Sequence, residues 1–567
     1  MKAERVVRPA EPRKTAQVYF PDGRIYAAPI GTPLETYIKS IDFDLPIPIV
    51  AAHINRELRE LTYHMVTDSD VVPISIADSD GMRIYRRSLA FLMITVAEEM
   101  FPAAQVVIDY ALNFGALYCE VTGRAPFTAE ELAYIEAAMR ELVDADVPIG
   151  KKRVPLDEAL GYFQARGHTD KLRLLKTRRK DYLTLYTLGA AQDYYHGYMV
   201  PSTGYLQKFA LRPYGPGFVL QYPRRELPTG IQEPVEYPKL VAVFNEYGEW
   251  MELMGIPNVG TLNEANEHGR MREVILVSEA LHEQRIARTA SDIAEQHPHV
   301  RLVLIAGPSS SGKTTFSKRL SIQLLAHGIR PTTLALDDFL VNREDTPRDE
   351  SGDYDFEALQ SLDLALFNDV LIRLMEGEEV TLPRYSFITG RREPGETIRI
   401  SQDHVIIVEG IHGMNPELVR DIHPRLIYRV YVSALTQLNV DQHNRVPTTD
   451  TRLLRRIVRD ATYRGYSATD TIKRWESVRR GEKRWIFPFQ EHADVMFNSA
   501  LVYELAVLKP FAEPLLLQVK PRMPEHIEAK RLLSFLEWFI PVEPNLIPDN
   551  SILREFVGGS ILQDYLP

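Results

Sequence analysis

Apolar and polar positions along this 567-residue chain fall into two kinds of pattern, short alternating runs and helical stripes. Around Gln17–Tyr26 the alternation continues on both sides of Pro21-Asp22-Gly23, which predicts two short strands and a tight turn. Thr32-Pro33 predicts a helix start, and Ile49–Ile54 and Val71–Ile76 predict further strands. Residues 261–296 predict helices, with Leu276, Ala280, Ile286, Ala290 and Ile293 on one apolar face. From Arg301 the pattern changes. Arg301–Ala306 is a near-continuous apolar run, as are His404–Glu409 and Leu426–Val432, and Thr332–Leu336 reads as a further strand. Between the first run and Thr332, Phe316–Ala326 predicts an amphipathic helix that ends near Gly328. Buried strands alternating with helices predict an α/β fold with a parallel sheet covered on both faces. The proline- and glycine-rich stretch 212–240 marks a boundary. Leu532–Phe539 predicts a late helix that packs on another domain or subunit. The expected units are 1–79, 80–225, 226–297, 298–500 and 501–567, with residues 1–14 a loose arm.

Composition narrows the class. The chain is 45% hydrophobic and 25% charged, ordinary for a globular protein. A net charge of −11 argues against broad nonspecific nucleic-acid binding. The single cysteine, Cys119, permits no internal disulfide and no cysteine-rich zinc site. A cytoplasmic setting is expected, since the N-terminus lacks a signal-like apolar core and no run is long enough to span a membrane. Lys171–Lys180 is the most basic run, read as a solvated helix face in preference to an RNA patch.

The chemistry concentrates at Gly307-Pro308-Ser309-Ser310-Ser311-Gly312-Lys313-Thr314-Thr315, which fits G-x-x-x-x-G-K-[ST] between a strand and a helix. The glycines permit a tight turn, and the N–H groups of Gly307, Ser309, Ser310, Ser311, Gly312 and Thr315 are expected to cradle ATP phosphates. Lys313 would reach the β- and γ-phosphates, and the Thr314 hydroxyl would ligate Mg²⁺. Asp337 and Glu409 end apolar strands, where ligands collect in such sheets. They are candidate metal ligands with Thr314, and Asp337 is the candidate base, with Asp338 the competitor. Arg452, Arg455, Arg456 and Arg459 share a helix and are expected to swing over the phosphates.

Gly307–Thr315, Asp337-Asp338-Phe339, Asp353-Tyr354-Asp355-Phe356-Glu357-Ala358-Leu359, Pro383-Arg384-Tyr385-Ser386-Phe387, Val408-Glu409-Gly410-Ile411, Arg455–Asp460 and His492-Ala493-Asp494-Val495 occur in one order. In that order they resemble the uridine kinase/phosphoribulokinase family of P-loop kinases. The resemblance implies an ATP- and Mg²⁺-dependent kinase with an arginine-bearing lid. By it, Asp337 is base and sugar anchor, Tyr385 and Phe387 flank a nucleobase, and Glu409 supports Mg²⁺. Arg456, Arg459 and Arg464 serve the lid and the phosphates, which makes Asp337, Lys313 and Arg459 the catalytic set. Three positions depart from the family's nucleoside contacts: Leu340 for tyrosine, Gly390 near a histidine, and Tyr466 for arginine. The acceptor therefore stays open between uridine or cytidine, another nucleoside, and a different small hydroxyl compound such as a sugar or polyol.

The front of the chain has its own likeness. The module before residue 79, Asp80–Leu92, Phe114–Val121, Phe127–Leu132 and Tyr194–Pro201 resemble, in order and spacing, the TGS and editing-type domains of threonyl-tRNA synthetases. That family carries two histidines four apart on a helix, a cysteine and a further histidine. Those places fall here on Arg87, Phe91, Tyr195 and Met199, which cannot form a zinc set. The resemblance thus implies a kept scaffold without the chemistry, and His196 nearby is expected to be a packed residue. An RNA-binding protein whose P-loop drives a conformational step is the alternative, with tRNA as its partner. A regulatory or homo-oligomerising role for the front half is also open.

Overall fold

The computed structural model describes residues 12–41, 43, 46–349, 352–386, 389–401 and 403–565. The arm expected at residues 1–14 lies almost wholly outside these, and so does Phe387. The first strands form as the alternation predicts. Thr15–Tyr19 and Ile25–Pro29 make a hairpin, closed by the Phe20 N–H on the Arg24 carbonyl. Their sheet continues through Ser69–Ser75 and Ile49–Ile54 to Glu57–Glu60, a short polar edge strand that periodicity did not predict. Helix Leu34–Lys39 follows Pro33 and packs Leu34 against Val18, Leu61 and Val71.

Helix Ser79–Met100 leads into a four-stranded antiparallel sheet, Ala210–Tyr214, Gly217–Gln221, Ala116–Thr122 and Gln105–Leu112 in spatial order. The glycine- and proline-rich residues 212–217 are therefore the turn of a hairpin inside this sheet. Helix Ala129–Asp144 starts at a capping box in which Thr128 and Glu131 satisfy each other's N–H groups.

Helices Pro238–Leu253, Val259–Glu267 and Met271–Gln296 follow. The predicted face of the last is out of phase at its start. Ile286, Ala290 and Ile293 are buried, but Leu276 is 55% exposed. The inward positions there include Ser278, Glu279 and His282, polar residues that a hydrophobic count passes over. Arg319 of the next helix reaches Glu283 at 2.6 Å and Glu279 at 3.7 Å, so Met271–Gln296 is part of the following α/β unit and more than a connector.

That unit is a five-stranded, wholly parallel sheet. Its order is Arg330–Ala335, His404–Glu409, Leu302–Ala306, Ile427–Ser433, Val495–Asn498. The central strand Leu302–Ala306 is buried along its whole length, as its unbroken apolar run requires. A separate hairpin, Glu379–Ser386 with Arg391–Arg399, stands beside the sheet. The late helices Glu504–Leu517 and His526–Leu536 pack on this same chain. Arg531 binds Asp450 bidentately at 2.6 and 2.8 Å, while Arg83 from the front half reaches Glu528 at 3.1 Å. Among the described residues no helix is long and apolar enough to cross a membrane.

Candidate active site

Gly307 ends the central strand where a Cβ would stand 1.9 Å from the Val432 carbonyl oxygen, so only glycine fits. Gly312 has φ of +84° and passes directly into helix Lys313–Ala326. Among the described residues, the N–H groups of Gly312, Lys313 and Thr314 take no protein acceptor. They sit at the positive end of the helix, the arrangement that receives a phosphate. Other parts of the loop are already engaged. The Ser311 N–H donates to the Pro308 carbonyl, the Ser309 N–H to Glu482, and the Thr315 N–H to Glu555.

Acidic groups face this loop from the ends of neighbouring strands. The Thr314 hydroxyl donates to Glu409 Oε1 at 2.8 Å. Burial pushes the Glu409 carboxyl up to about 7, with Glu555 and Asp337 adding to the rise against Lys313 and the Thr314 bond. Asp337 lies in a short 3₁₀ turn, Leu336–Phe339, that ends the edge strand. Its side chain reaches solvent, with Lys313, Arg464 and Arg459 near it. Desolvation there raises its pKa against the pull of Lys313, Arg464 and Arg459. Desolvation lowers the Lys313 ammonium, opposed by Glu409, Glu555 and Asp337. Asp338 points elsewhere: its Oδ1 accepts the Tyr385 N–H at 3.1 Å. Tyr385 is buried with Phe339 and Leu340 in the core beside the sheet.

This combination of strand-end carboxylates, cradle and lysine is that of a P-loop phosphotransferase site, and the sequence comparison agrees. Residues 302–506 match the model of the Phosphoribulokinase / Uridine kinase family. This region belongs to that family. The front of the chain matches a threonine–tRNA ligase from Janthinobacterium sp. (strain Marseille) at 34% identity over 197 residues. The match covers 34% of this chain and 31% of the ligase, so the chain spans about a third of that curated relative's length. Among solved structures, a possible uridine kinase from Bacillus stearothermophilus aligns at 23% identity with a TM-score of 0.25. It covers 38% of this chain and 98% of its own. A D-glycerate 3-kinase from Cryptococcus neoformans var. grubii aligns at 18% identity with a TM-score of 0.20, covering 46% and 86%.

Within the kinase-family region the arginine helix Thr448–Arg459 divides by depth. Arg452 and Arg455 are 1% and 0% exposed and do not overhang the cleft. Arg452 holds the Ser309 carbonyl and pairs with Glu482; Arg455 holds Glu504, Ser499 and the Ser310 carbonyl. They brace the loop from beneath, and Ser310, at φ of +58°, keeps its strained conformation above them. Arg456, Arg459 and Arg464 gather instead on Asp460, and Arg456 also donates to the Ser309 hydroxyl at 2.8 Å. The turn Asp460–Arg464 ends at Gly465 with φ of +67°.

Glu357 completes the cleft and was not singled out from sequence. Burial pushes its carboxyl up to about 7 against the pull of Arg456 and Lys313, with Asp337 and Asp355 adding to the rise. Its side chain packs so tightly on helix Ala468–Trp485 that a Cβ at Gly481 would meet the Glu357 Cβ at 2.5 Å. The signal was the stretch Asp353–Leu359 itself, read for its order and not for its acid. Leu340 is buried, Gly390 lies against Arg343, and Tyr466 is half-exposed under Arg474.

The front half's counterpart cluster is an apolar knot. Phe91 packs on Tyr195 with ring centroids 5.4 Å apart, Met199 accepts from Ser88, and Arg87 donates to the Tyr198 carbonyl at 2.6 Å. His196 accepts from the Trp538 indole at 2.9 Å. Among the described residues no group of His, Cys, Asp and Glu is arranged to hold a metal.

Proposed function

We propose that this protein is an ATP-dependent kinase that transfers the γ-phosphoryl group to the hydroxyl of a small molecule, with a nucleoside of the uridine or cytidine type as the first candidate. The observation that carries the reading is the meeting of Lys313, the Thr314–Glu409 pair and Asp337 around one cleft at the sheet's C-terminal edge. Gly312, Lys313 and Thr314 offer free N–H donors to the β-phosphate, and the Lys313 ammonium neutralises the bridging oxygen. The Thr314 hydroxyl and Glu409 are oxygen donors of the kind that Mg²⁺ takes, and they would hold it there, where the ion would offset charge on the phosphates. Asp337, its carboxylate more basic than usual, would accept the acceptor's hydroxyl proton as that oxygen bonds to phosphorus and ADP leaves. Glu357 and the three arginines on Asp460 would orient the acceptor and close over the phosphates.

The positions of Leu340, Gly390 and Tyr466 would each supply a side chain toward a pyrimidine nucleoside in the resembling family, so a sugar or polyol competes with the nucleoside reading. A screen of nucleosides, ribose derivatives and polyols for ADP release decides it. Release with uridine or cytidine supports the nucleoside; release confined to a sugar or polyol replaces it. No release with any acceptor, together with no nucleotide binding, would overturn the kinase reading.

A further inference from the structure

We infer that the C-terminal segment 551–563 is an internal competitor for the nucleotide, with the Glu555 carboxylate standing where a nucleotide phosphate would sit. The inference rests on reading the Gly307–Thr315 loop as a phosphate cradle, and goes beyond it.

Two carboxylates take N–H groups of this loop, and they differ in kind. Glu482 accepts the Ser309 N–H at 3.2 Å while buried between Arg452 and Arg479. Its charge is neutralised, so it is part of the frame. Glu555 accepts from the Thr315 N–H at 3.2 Å and from the Thr315 hydroxyl at 2.8 Å. It is half-buried, and among the described residues it has no salt-bridge partner. Its charge is met by the loop's donors and by the helix N-terminus, the same groups that would receive a phosphate oxygen.

The rest of the segment is arranged to deliver that carboxylate. Ile552 lies on Gly312, where a Cβ would stand 2.5 Å from its Cγ2. Ser551 donates to Glu279 at 2.5 Å, and Lys318 Nζ, one turn along the P-loop helix, holds the carbonyls of Leu562 and Gln563 at 2.7 and 3.0 Å. Glu555 sits on a single helical turn, Arg554–Val557, that ends at Gly558 and Gly559, both with positive φ. Gly558 adjoins the Tyr463 hydroxyl of the lid turn. The segment is thus pinned at both ends, spans loop to lid, and places on Thr315 an anion that, among the described residues, has no salt-bridge partner of its own and shares the field of Lys313 with Glu409 and Asp337. A phosphate and a carboxylate cannot share those two donors, and Glu409 and Asp337 already crowd the cleft with negative charge. Nucleotide binding therefore requires Glu555 to leave Thr315.

The test measures ATP and ADP affinity calorimetrically in the full chain, for wild type, Glu555→Gln and Glu555→Ala, each checked for an unchanged melting curve. Removing the charge is expected to tighten nucleotide binding about three- to tenfold, the scale of one charge-assisted hydrogen bond. Amide exchange in 551–563 is expected to speed up when ADP is added to the wild type. If both variants bind nucleotide as weakly as wild type or more weakly, and ADP leaves the exchange of 551–563 unchanged, Glu555 is a cap of the fold and the inference is overturned. If no form binds nucleotide at any concentration, the cradle reading fails first and takes the inference with it.

Discussion

Glu409 and Lys313 set what single residues do here. Lys313 stands with three carboxylates in its field, so Lys313→Ala would remove the only lysine of the motif without opening the core. Turnover is expected to fall by about a thousandfold or more with the melting temperature little changed. Steady-state kinetics beside a thermal melt check this, and normal turnover would refute the assignment. Protonation gives a second handle. The Glu409 and Glu357 carboxyls are pushed up to about 7 from an ordinary 4.5. Below about pH 7 they carry protons, and a protonated Glu409 cannot serve a cation, so affinity for metal-nucleotide should decline as pH falls from 8 to 6. For stability the sign is opposite. The folded chain holds these protons more tightly than the unfolded one, so the two groups cost stability as pH rises from about 4.5 to 7. Parallel titrations of KM for ATP and of the denaturation midpoint separate the two effects. Residues of this kind were legible because the motif is local: Gly307 to Thr315, then a carboxylate at the end of two of the apolar runs, Asp337 and Glu409. Glu555 was not, because it lies far from the loop in sequence, on one turn of unremarkable composition.

At the scale of elements, the arginine helix was found but its faces were misread. Spacings of three and four put Arg452, Arg455, Arg456 and Arg459 together on paper, yet two are buried supports and two face the cleft. Sequence gives the period of a helix, and only packing gives its phase; Leu276 on helix Met271–Gln296 failed for the same reason. The difference is testable. Arg455→Leu would strand the buried Glu504 carboxylate, now 2.6 Å from the guanidinium, and is expected to cost about 3–5 kcal/mol of stability. Arg459→Leu leaves the buried Asp460 carboxylate still held by Arg456, Arg464 and the Thr471 hydroxyl, and is expected to cost about 1–2 kcal/mol of stability, less than Arg455→Leu, while lowering kcat. Urea denaturation of the two variants should rank them in that order.

Across the whole molecule, the two halves are stitched together by buried polar contacts. Asn439 of the kinase-family region donates to the carbonyls of Ile108 and Asp109 at 3.0 Å, and the Ile108 N–H donates to the Gln442 carbonyl. Beside this seam Lys171 is fully buried, 2.9 Å from Asp193 and 3.3 Å from Asp441, with His443 on Asp193 at 2.6 Å and Tyr194 on Asp441. Burial disfavours the Lys171 ammonium, but Asp193, Asp441 and Asp170 outweigh it, and its pKa is raised. The basic run Lys171–Lys180, expected to be a solvated face, therefore begins with an internal ion. Arg173 and Lys176 approach Glu264, and Lys180 pairs with Glu537. Lys171→Met would leave two buried carboxylates short of a cation and is expected to lower stability by about 3–5 kcal/mol. Removal of residues 1–225 would take Lys171, Asp193 and Tyr194 away and bare Asp441 and His443, so the remaining chain should unfold at lower denaturant than the intact protein. An equal midpoint would deny the seam any energetic weight.

That shared charge balance also bears on descent. Positions 171 and 193 lie in the front half and 441 and 443 in the kinase-family region, yet none can gain or lose a charge without unsettling the rest. Among proteins that carry both halves, these four sites are expected to vary in concert, a change at one being answered by a change across the join.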